Sequence, residues 1–279
     1  ITACRSTPRA VTSSPNSNGR ATLVDVSCEW KDALMPDITV IVPAAGKGER
    51  FGGDQNKIFA KLDGQPVFLR TLQQFLTRDD VCQTILAVSP ADAENVKQKF
   101  GANLGFMGVT LVVGGDERFQ TVATALERLT DDAALVAIHD AVRCCVTADM
   151  IDAVFAEARK TGAAILAAPL TGTIKRVSES RVIDATVPRA GLYEAQTPQV
   201  FRKDLIVDAY ARLADFDGQP TDDAQLVEAT GHPVTVAPSD PTNLKITTKA
   251  DMTLAGAILK ARPKPKPSGP LHPFEEAQW

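Results

Sequence analysis

Ile38-Thr39-Val40-Ile41-Val42-Pro43-Ala44-Ala45-Gly46-Lys47-Gly48-Glu49-Arg50 is the stretch on which the fold turns. Its opening run, 38–42, is apolar or β-branched and too short for a helix, so it predicts a buried strand. The strand empties into a loop of small residues with two glycines. Such a loop lets backbone N–H groups come close to a ligand, which suits a phosphate or a nucleotide base. Arg50, and Lys57 just beyond, add positive charge. A plain structural turn is the equally open alternative. The loop is not a P-loop, because no Gly-Lys-Ser/Thr closes it. It is a poor dinucleotide fingerprint, because the third glycine would fall at Phe51 and the second strand ends at Ser89 with no acid for a ribose. Both points disfavour a nucleotide-dependent oxidoreductase.

Outward from this strand, 84–89, 109–113, 134–138 and 163–168 are further short apolar runs. Helical stretches separate them. In 117–129, Phe119, Val122, Ala123 and Leu126 recur at helical spacing. Strands alternating with helices predict an α/β domain over 37–262, with a doubly wound, mainly parallel sheet covered on both faces. Ligands of such sheets bind beyond the carboxyl ends of the strands. Residues 171–190 break the alternation. Two β-like runs, 173–177 and 181–187, flank Ser178-Glu179-Ser180 and read as a projecting hairpin. An exposed hairpin invites pairing with a second copy, although an ordinary edge hairpin reads the same way.

Three more motifs fall at strand ends. In Gly114-Gly115-Asp116-Glu117-Arg118, the glycines could admit a ligand faced by Arg118 and Thr121, or Asp116 could simply cap the next helix. In His139-Asp140-Ala141-Val142-Arg143, the aspartate is placed for a sugar hydroxyl or a phosphate-bound metal ion, the bland reading being an Asp–Arg surface pair. His139 reads as a satisfied structural histidine. Lys245, between Leu244 and Ile246, reads as a partly sheltered cation or a surface lysine on a strand. Thr221-Asp222-Asp223-Ala224 reads as a capped helix start.

The whole chain has 279 residues, with 30 Lys+Arg against 34 Asp+Glu and a formal charge of −4. No basic stripe marks a nucleic-acid binder, and no apolar run approaches a membrane span. The five cysteines include the adjacent Cys144 and Cys145 but no Cys-x-x-Cys, which suits a reducing compartment and argues against a zinc site. Cytoplasm is therefore the expected location. Residues 1–36 form an N-terminal extension that begins basic, Ser-rich and acid-poor; it reads as disordered. A transit peptide, hence a plastid, shares that composition with a plain tail. From Pro263 to Trp279 the chain is rich in proline and lysine, so the last helix should stop near Arg262 and a disordered tail follow.

In order and spacing, Pro43-Ala44-Ala45-Gly46-x-Gly48-x-Arg50, Gly114-Gly115-Asp116-Glu117-Arg118, His139-Asp140-Ala141-x-Arg143, Thr173-Ile174-Lys175, Thr186-Val187-Pro188-Arg189, Gln196-Thr197-Pro198-Gln199-x-Phe201, Thr221-Asp222-Asp223-Ala224 and Asn243-x-Lys245 resemble the sugar-phosphate cytidylyltransferases. The resemblance runs over about 38–260. The branch acting on methylerythritol phosphate is the nearer match, the ribitol-phosphate branch the alternative, and a non-catalytic nucleotide-binding protein a third reading. The resemblance implies a Rossmann-like fold with a β-hairpin arm that interlocks two subunits, hence a homodimer. It implies CTP and a sugar-alcohol phosphate as substrates, with Mg²⁺. Ala44, Ala45, Gly46 and Gly48 would cradle CTP, with Gly115, Asp116, Arg118 and Thr121 recognising it. Asp140, with Ala141 and Arg143 beside it, would lie at the nucleotide and its metal. Arg50 and Lys57 would stabilise charge on the α-phosphate. Lys245 and Arg189, with Thr173 and Thr197, would position the sugar phosphate, Thr173 and Arg189 acting across the dimer. Two departures stand out. The family's usual Pro-Lys-Gln-Tyr is Asn56-Lys57-Ile58-Phe59 here, and its usual Pro after His-Asp-x-x-Arg is Cys144.

Overall fold

The computed structural model describes residues 36–46, 51 and 56–263. The expectations for the N-terminal extension up to 35, for Gly48 and Arg50, and for the tail from 264 lie outside the described residues. The strands are β1 (Ile38–Pro43), β2 (Lys61–Leu62), β3 (Gln65–Pro66), β4 (Val81–Val88), β5 (Val109–Val113), β6 (Leu135–Ile138), β7 (Ala163–Pro169), β8 (Ile174–Val177), β9 (Ile183–Val187), β10 (Tyr193–Arg202) and β11 (Thr235–Pro238). The helices are α1 (Val67–Leu76), α2 (Pro90–Phe106), α3 (Arg118–Leu126), α4 (Ala148–Thr161), α5 (Lys203–Ala211), α6 (Asp223–Ala229) and α7 (Lys249–Ala261).

Seven strands form one sheet in the order β11-β7-β10-β6-β1-β4-β5. The order departs in both directions from β1, which pairs in parallel with β4 on one side and β6 on the other. Only β10 runs against its neighbours. Along β1 the side chains alternate between two cores, as the pleat requires. Ile38, Val40 and Val42 face a cluster built with α1, α2 and α4, and Ile41 faces one built with α3, α5 and α6. Phe68, Leu72 and Phe75 of α1 are fully buried in the first cluster. Each such side chain contributes about 1.5–3 kcal/mol by leaving water, which is why β1, buried on both faces, sits inside the sheet and not at its edge.

The expected strands appear within a few residues of their predicted ends; α3 is shorter than its pattern suggests. Helix α7 ends at Ala261 with Arg262 as its C-cap. The hairpin is β8 paired antiparallel with β9, and its residues are largely exposed. Leu170 N–H donates to the Leu192 carbonyl at 3.0 Å and closes its base. Strand β10 has no counterpart in the sequence reading. Its polar Gln196-Thr197-Pro198-Gln199 segment shows no alternation, and proline argues against an inner strand. The sheet admits it through an irregularity: pairing with β7 shifts register between Ala195 and Gln199, and the Thr197–Pro198 bond is cis.

Candidate active site

Because β1, β5 and β6 run in parallel, the loops after them meet at one edge of the sheet, together with the segment around Lys245. They enclose a cleft of about 510 Å³ lined by Pro43, Ala44, Ala45, Gly46, Lys57, Ile58, Asp116, Glu117, Arg118, Asp140, Ala141, Val142, Lys245 and Thr247. Nine of the predicted site residues thus share one wall: Ala44, Ala45, Gly46, Lys57, Asp116, Arg118, Asp140, Ala141 and Lys245.

Asp140 is the hub of this wall. It follows β6 and is 5% exposed. Arg118 Nε lies 3.1 Å from Oδ1, Lys245 Nζ 2.9 Å from Oδ2, and Arg143 Nε 3.5 Å from Oδ2. Burial works to raise the pKa of the Asp140 carboxyl, but Arg118, Lys245 and Arg143 outweigh it and hold it well below the usual carboxylate range. Asp140 is therefore a buried carboxylate held by three cations, of which Arg118 and Lys245 line the cleft. The surface Asp–Arg pair of the bland reading is excluded by that burial.

The groups behind Asp140 fix its position. Its N–H donates to Thr197 Oγ1 at 3.1 Å. Thr197 Oγ1 also meets His139 Nδ1 at 3.1 Å, and His139 Nε2 meets the Arg143 carbonyl at 3.1 Å. A carbonyl only accepts, so Nε2 carries the proton and Nδ1 accepts from the threonine hydroxyl. His139 is fully buried; burial pushes its pKa down to about 4 against the pull of Asp140, so the ring is neutral and structural as expected. Arg143 Nη1 donates to the Asn243 carbonyl at 2.7 Å, and Asn243 Nδ2 donates to Gln196 Oε1 and the Thr197 carbonyl, both at 3.0 Å. Arg143 and Thr197 thus stand behind the wall and not in it.

The loop after β5 corrects three expectations. Glu117, not Asp116, is the N-cap of α3, in a reciprocal capping box with Gln120. That frees Asp116 to line the cleft. Thr121 does not face the cleft: it is fully buried and its hydroxyl donates to the Gly115 and Glu117 carbonyls at 3.2 and 3.0 Å. A helical threonine bonding back to its own preceding turn is geometrically favoured, and here it ties the glycine loop down. A Cβ on Gly114 would lie 2.5 Å from Thr121 Cγ2, and one on Gly115 2.6 Å from Gln120 Cβ. These glycines admit the helix, and Gly115 does not line the cleft.

The altered stretch around Lys57 has its own support. Lys57–Phe59 is a 3₁₀ turn whose Asn56 cap accepts from Ile58 N–H and donates to Asp92 Oδ2 at 2.8 Å. Phe59 packs edge-on to Phe68 and stacks with Phe100, at 6.0 and 6.2 Å between ring centroids. The substituted neighbours thus anchor the turn that brings Lys57 to the cleft. Lys245 is 40% exposed at its side chain, in a loop and not on a strand. Cys144 and Cys145 are fully buried in the core and contribute packing. Thr173 and Arg189 lie at the exposed base of the arm, outside the cleft lining, and Arg189 Nη1 donates to the Thr171 carbonyl. The sequence reading missed Asp223 as a site residue. It is fully buried, and Arg118 Nη2 donates to its Oδ2 at 2.7 Å across 105 residues of sequence. The available signal was a pair of aspartates at a helix start where one suffices to cap.

Among the described residues, no group of three or more His, Cys, Asp or Glu converges on a point that could hold a metal. Both Asp140 oxygens are committed to cations, and a divalent ion bound there would face Lys245 and Arg118 at close range. Two unit charges of like sign about 4 Å apart repel by about 4 kcal/mol at an effective dielectric of 20. The donor set therefore does not build a resident metal site.

The family model for 2-C-methyl-D-erythritol 4-phosphate cytidylyltransferase matches residues 38–261. The protein of that name from Rhodopirellula baltica is 45% identical over 233 residues, 80% of this chain and 94% of its own length. The one from Alkaliphilus oremlandii is 38% identical over 80% of this chain and 95% of its own. The crystal structure of the Thermus thermophilus 2-C-methyl-D-erythritol 4-phosphate cytidylyltransferase superposes with a TM-score of 0.67 at 30% identity, over 80% of this chain and 99% of that one. With the matched segment running from the first strand to the last helix, this chain belongs to the 2-C-methyl-D-erythritol 4-phosphate cytidylyltransferase family.

Proposed function

We propose that this chain transfers the cytidylyl group of CTP to 2-C-methyl-D-erythritol 4-phosphate and releases pyrophosphate, a step of isoprenoid precursor synthesis. The observation that carries the reading is the convergence of Arg118, Lys245 and Arg143 on buried Asp140, beside the small-residue loop Pro43–Gly46. Family membership supplies the identity of the two substrates.

The chemistry joins two anions. A phosphate oxygen of the sugar phosphate attacks the α-phosphorus of CTP, the new P–O bond forms in line, and the bond to the β-phosphate oxygen breaks. Positioning and charge stabilisation carry such a reaction, and no covalent protein intermediate is needed. Lys57 and Lys245, on the cleft wall, offset the charge that builds at the α-phosphate and hold the sugar phosphate. Arg50 shares this task in the reading taken from the sequence. Ala44, Ala45 and Gly46 leave room for the nucleotide, and Asp116 and Arg118 recognise it. Asp140 keeps the cations spaced while the cleft is empty and yields some of their charge to the substrates. Magnesium enters as part of the nucleotide substrate, held by its phosphates, since Mg²⁺ favours phosphate oxygens and water over an all-protein cage. The arm reaches a second copy, so Thr173 and Arg189 act on the partner's cleft. The reaction runs in a reducing interior, in keeping with three free thiols among the described residues.

The test is pyrophosphate release by the purified chain with CTP and Mg²⁺, methylerythritol 4-phosphate and ribitol 5-phosphate being offered separately. Preference for the first is expected. Preference for the second moves the protein to polyol-phosphate activation, and silence with both, from folded chain that binds CTP, removes the catalytic reading.

A further inference from the structure

Helix α6 begins with two aspartates that do different work. Asp222 is the N-cap and accepts from Gln225 N–H. Asp223 is not needed for capping, yet it is the one that is fully buried. Three elements hold it. Tyr210 of α5 donates its hydroxyl to Oδ1 at 2.6 Å. Gln199 of β10 accepts from the Asp223 and Ala224 N–H groups at 3.0 and 2.9 Å, while its amide donates to Asp222 Oδ2 at 2.9 Å. Arg118 of α3 donates to Oδ2 at 2.7 Å.

Arg118 is thereby stretched between two carboxylates. Its Nη2 is on Asp223 and its Nε on Asp140, while the residue itself lines the cleft with a side chain 28% exposed. Among the described residues its Nη1 has no protein partner. A buried ion pair is weak evidence for a stabilising role, because packed apolar groups serve a core equally well. What the pair does supply is aim, since a planar guanidinium held at two of its nitrogens has no freedom left at the third.

We infer that Asp223 and Tyr210 are positioning residues for the transfer, fixing Arg118 so that its free Nη1 meets an anionic oxygen of the bound substrates. The inference rests on the reading of the cleft as the substrate site. A double-mutant cycle tests it, with kcat/KM for CTP and the thermal midpoint measured on the full chain. Asp223→Asn should lower kcat/KM about tenfold or more, the scale of a hydrogen bond to a charged group, but less than about twofold when Arg118 is already alanine. Tyr210→Phe should show the same pattern at about threefold, and it carries the cycle if Asp223→Asn does not fold. A purely structural role would move the thermal midpoint and cost the same activity in both backgrounds. Such additive losses in an active wild type overturn the inference alone. A wild type without pyrophosphate release overturns the reading of the cleft and takes the inference with it.

Discussion

The cleft wall and the arm carry predicted site residues in opposite ways. The wall is built within one chain: Asp140 is nearly sealed, each of its oxygens has a cationic partner, and its own N–H is tied to Thr197. The arm holds Thr173 and Arg189 in the open at its base, with Val177, Val182 and Ile183 exposed toward its turn and Tyr193 exposed just beyond it. Polar groups in the wall are arranged before any substrate arrives, which is the condition for electrostatic catalysis without reorganisation. The arm instead leaves several apolar side chains in the open. Preorganisation belongs to the first region and open exposure to the second.

The sharpest way to break this contrast is Lys245→Ala. Removing one charge-stabilising group should cut turnover about 10²–10³-fold. The thermal midpoint should barely move, because Lys245 is partly exposed and Arg118 and Arg143 remain on Asp140. Near-normal turnover would remove the wall's cationic role.

Acid should attack the wall before the arm. His139 has its folded pKa depressed to about 4 from an ordinary 6.5, so the unfolded state binds the extra proton first. Stability is then full above pH 6.5 and is lost as pH falls through the window toward 4. Between pH 7.5 and 5 the loss from this one ring should be about 2 kcal/mol. Urea midpoints at the two pH values measure it. His139→Gln should flatten that slope, and an unchanged slope would detach the ring from the acid response.

Arg189→Ala should lower kcat/KM about tenfold, the scale of a charge-assisted contact to phosphate. It should leave the thermal midpoint within the range of a surface change, about 0.5 kcal/mol. Sedimentation run alongside shows whether the active form is a pair. A loss of activity confined to conditions in which the chain is monomeric in any case would place Arg189 in its own cleft. The smallest effect is a control at a helix cap outside the cleft lining. Thr147 caps α4 by accepting from Met150 N–H, so Thr147→Ala should cost about 1 kcal/mol with kcat unchanged.

Much of this was legible from residue order. The run 38–42 and its parallel companions announced the sheet because apolar runs of strand length between helical periods have few other solutions. The ordered motifs identified the family. Strand β10 was not legible, because its inward-facing Gln196, Thr197 and Gln199 serve the site and not the core, which erases the alternation a strand otherwise displays. Arg118 was ambiguous for a related reason. Whether the first residue of a helix serves its cap or a ligand depends on what lies across the chain, and Asp140 and Asp223 are 22 and 105 residues away.

By itself the sequence determined the alternation of strand and helix, the edge of the sheet where the loops would gather, and which motifs belong to one family. These depend on local periodicity and on the fixed geometry of parallel crossovers. Only the tertiary structure decided that Glu117 caps α3, that Thr121 ties a loop instead of facing the cleft, and that Asp140 and Asp223 share one arginine. Those outcomes are set by distances between groups far apart in the chain. Hydrogen bonds and ion pairs fall off too steeply with distance and angle for any spacing in sequence to settle them.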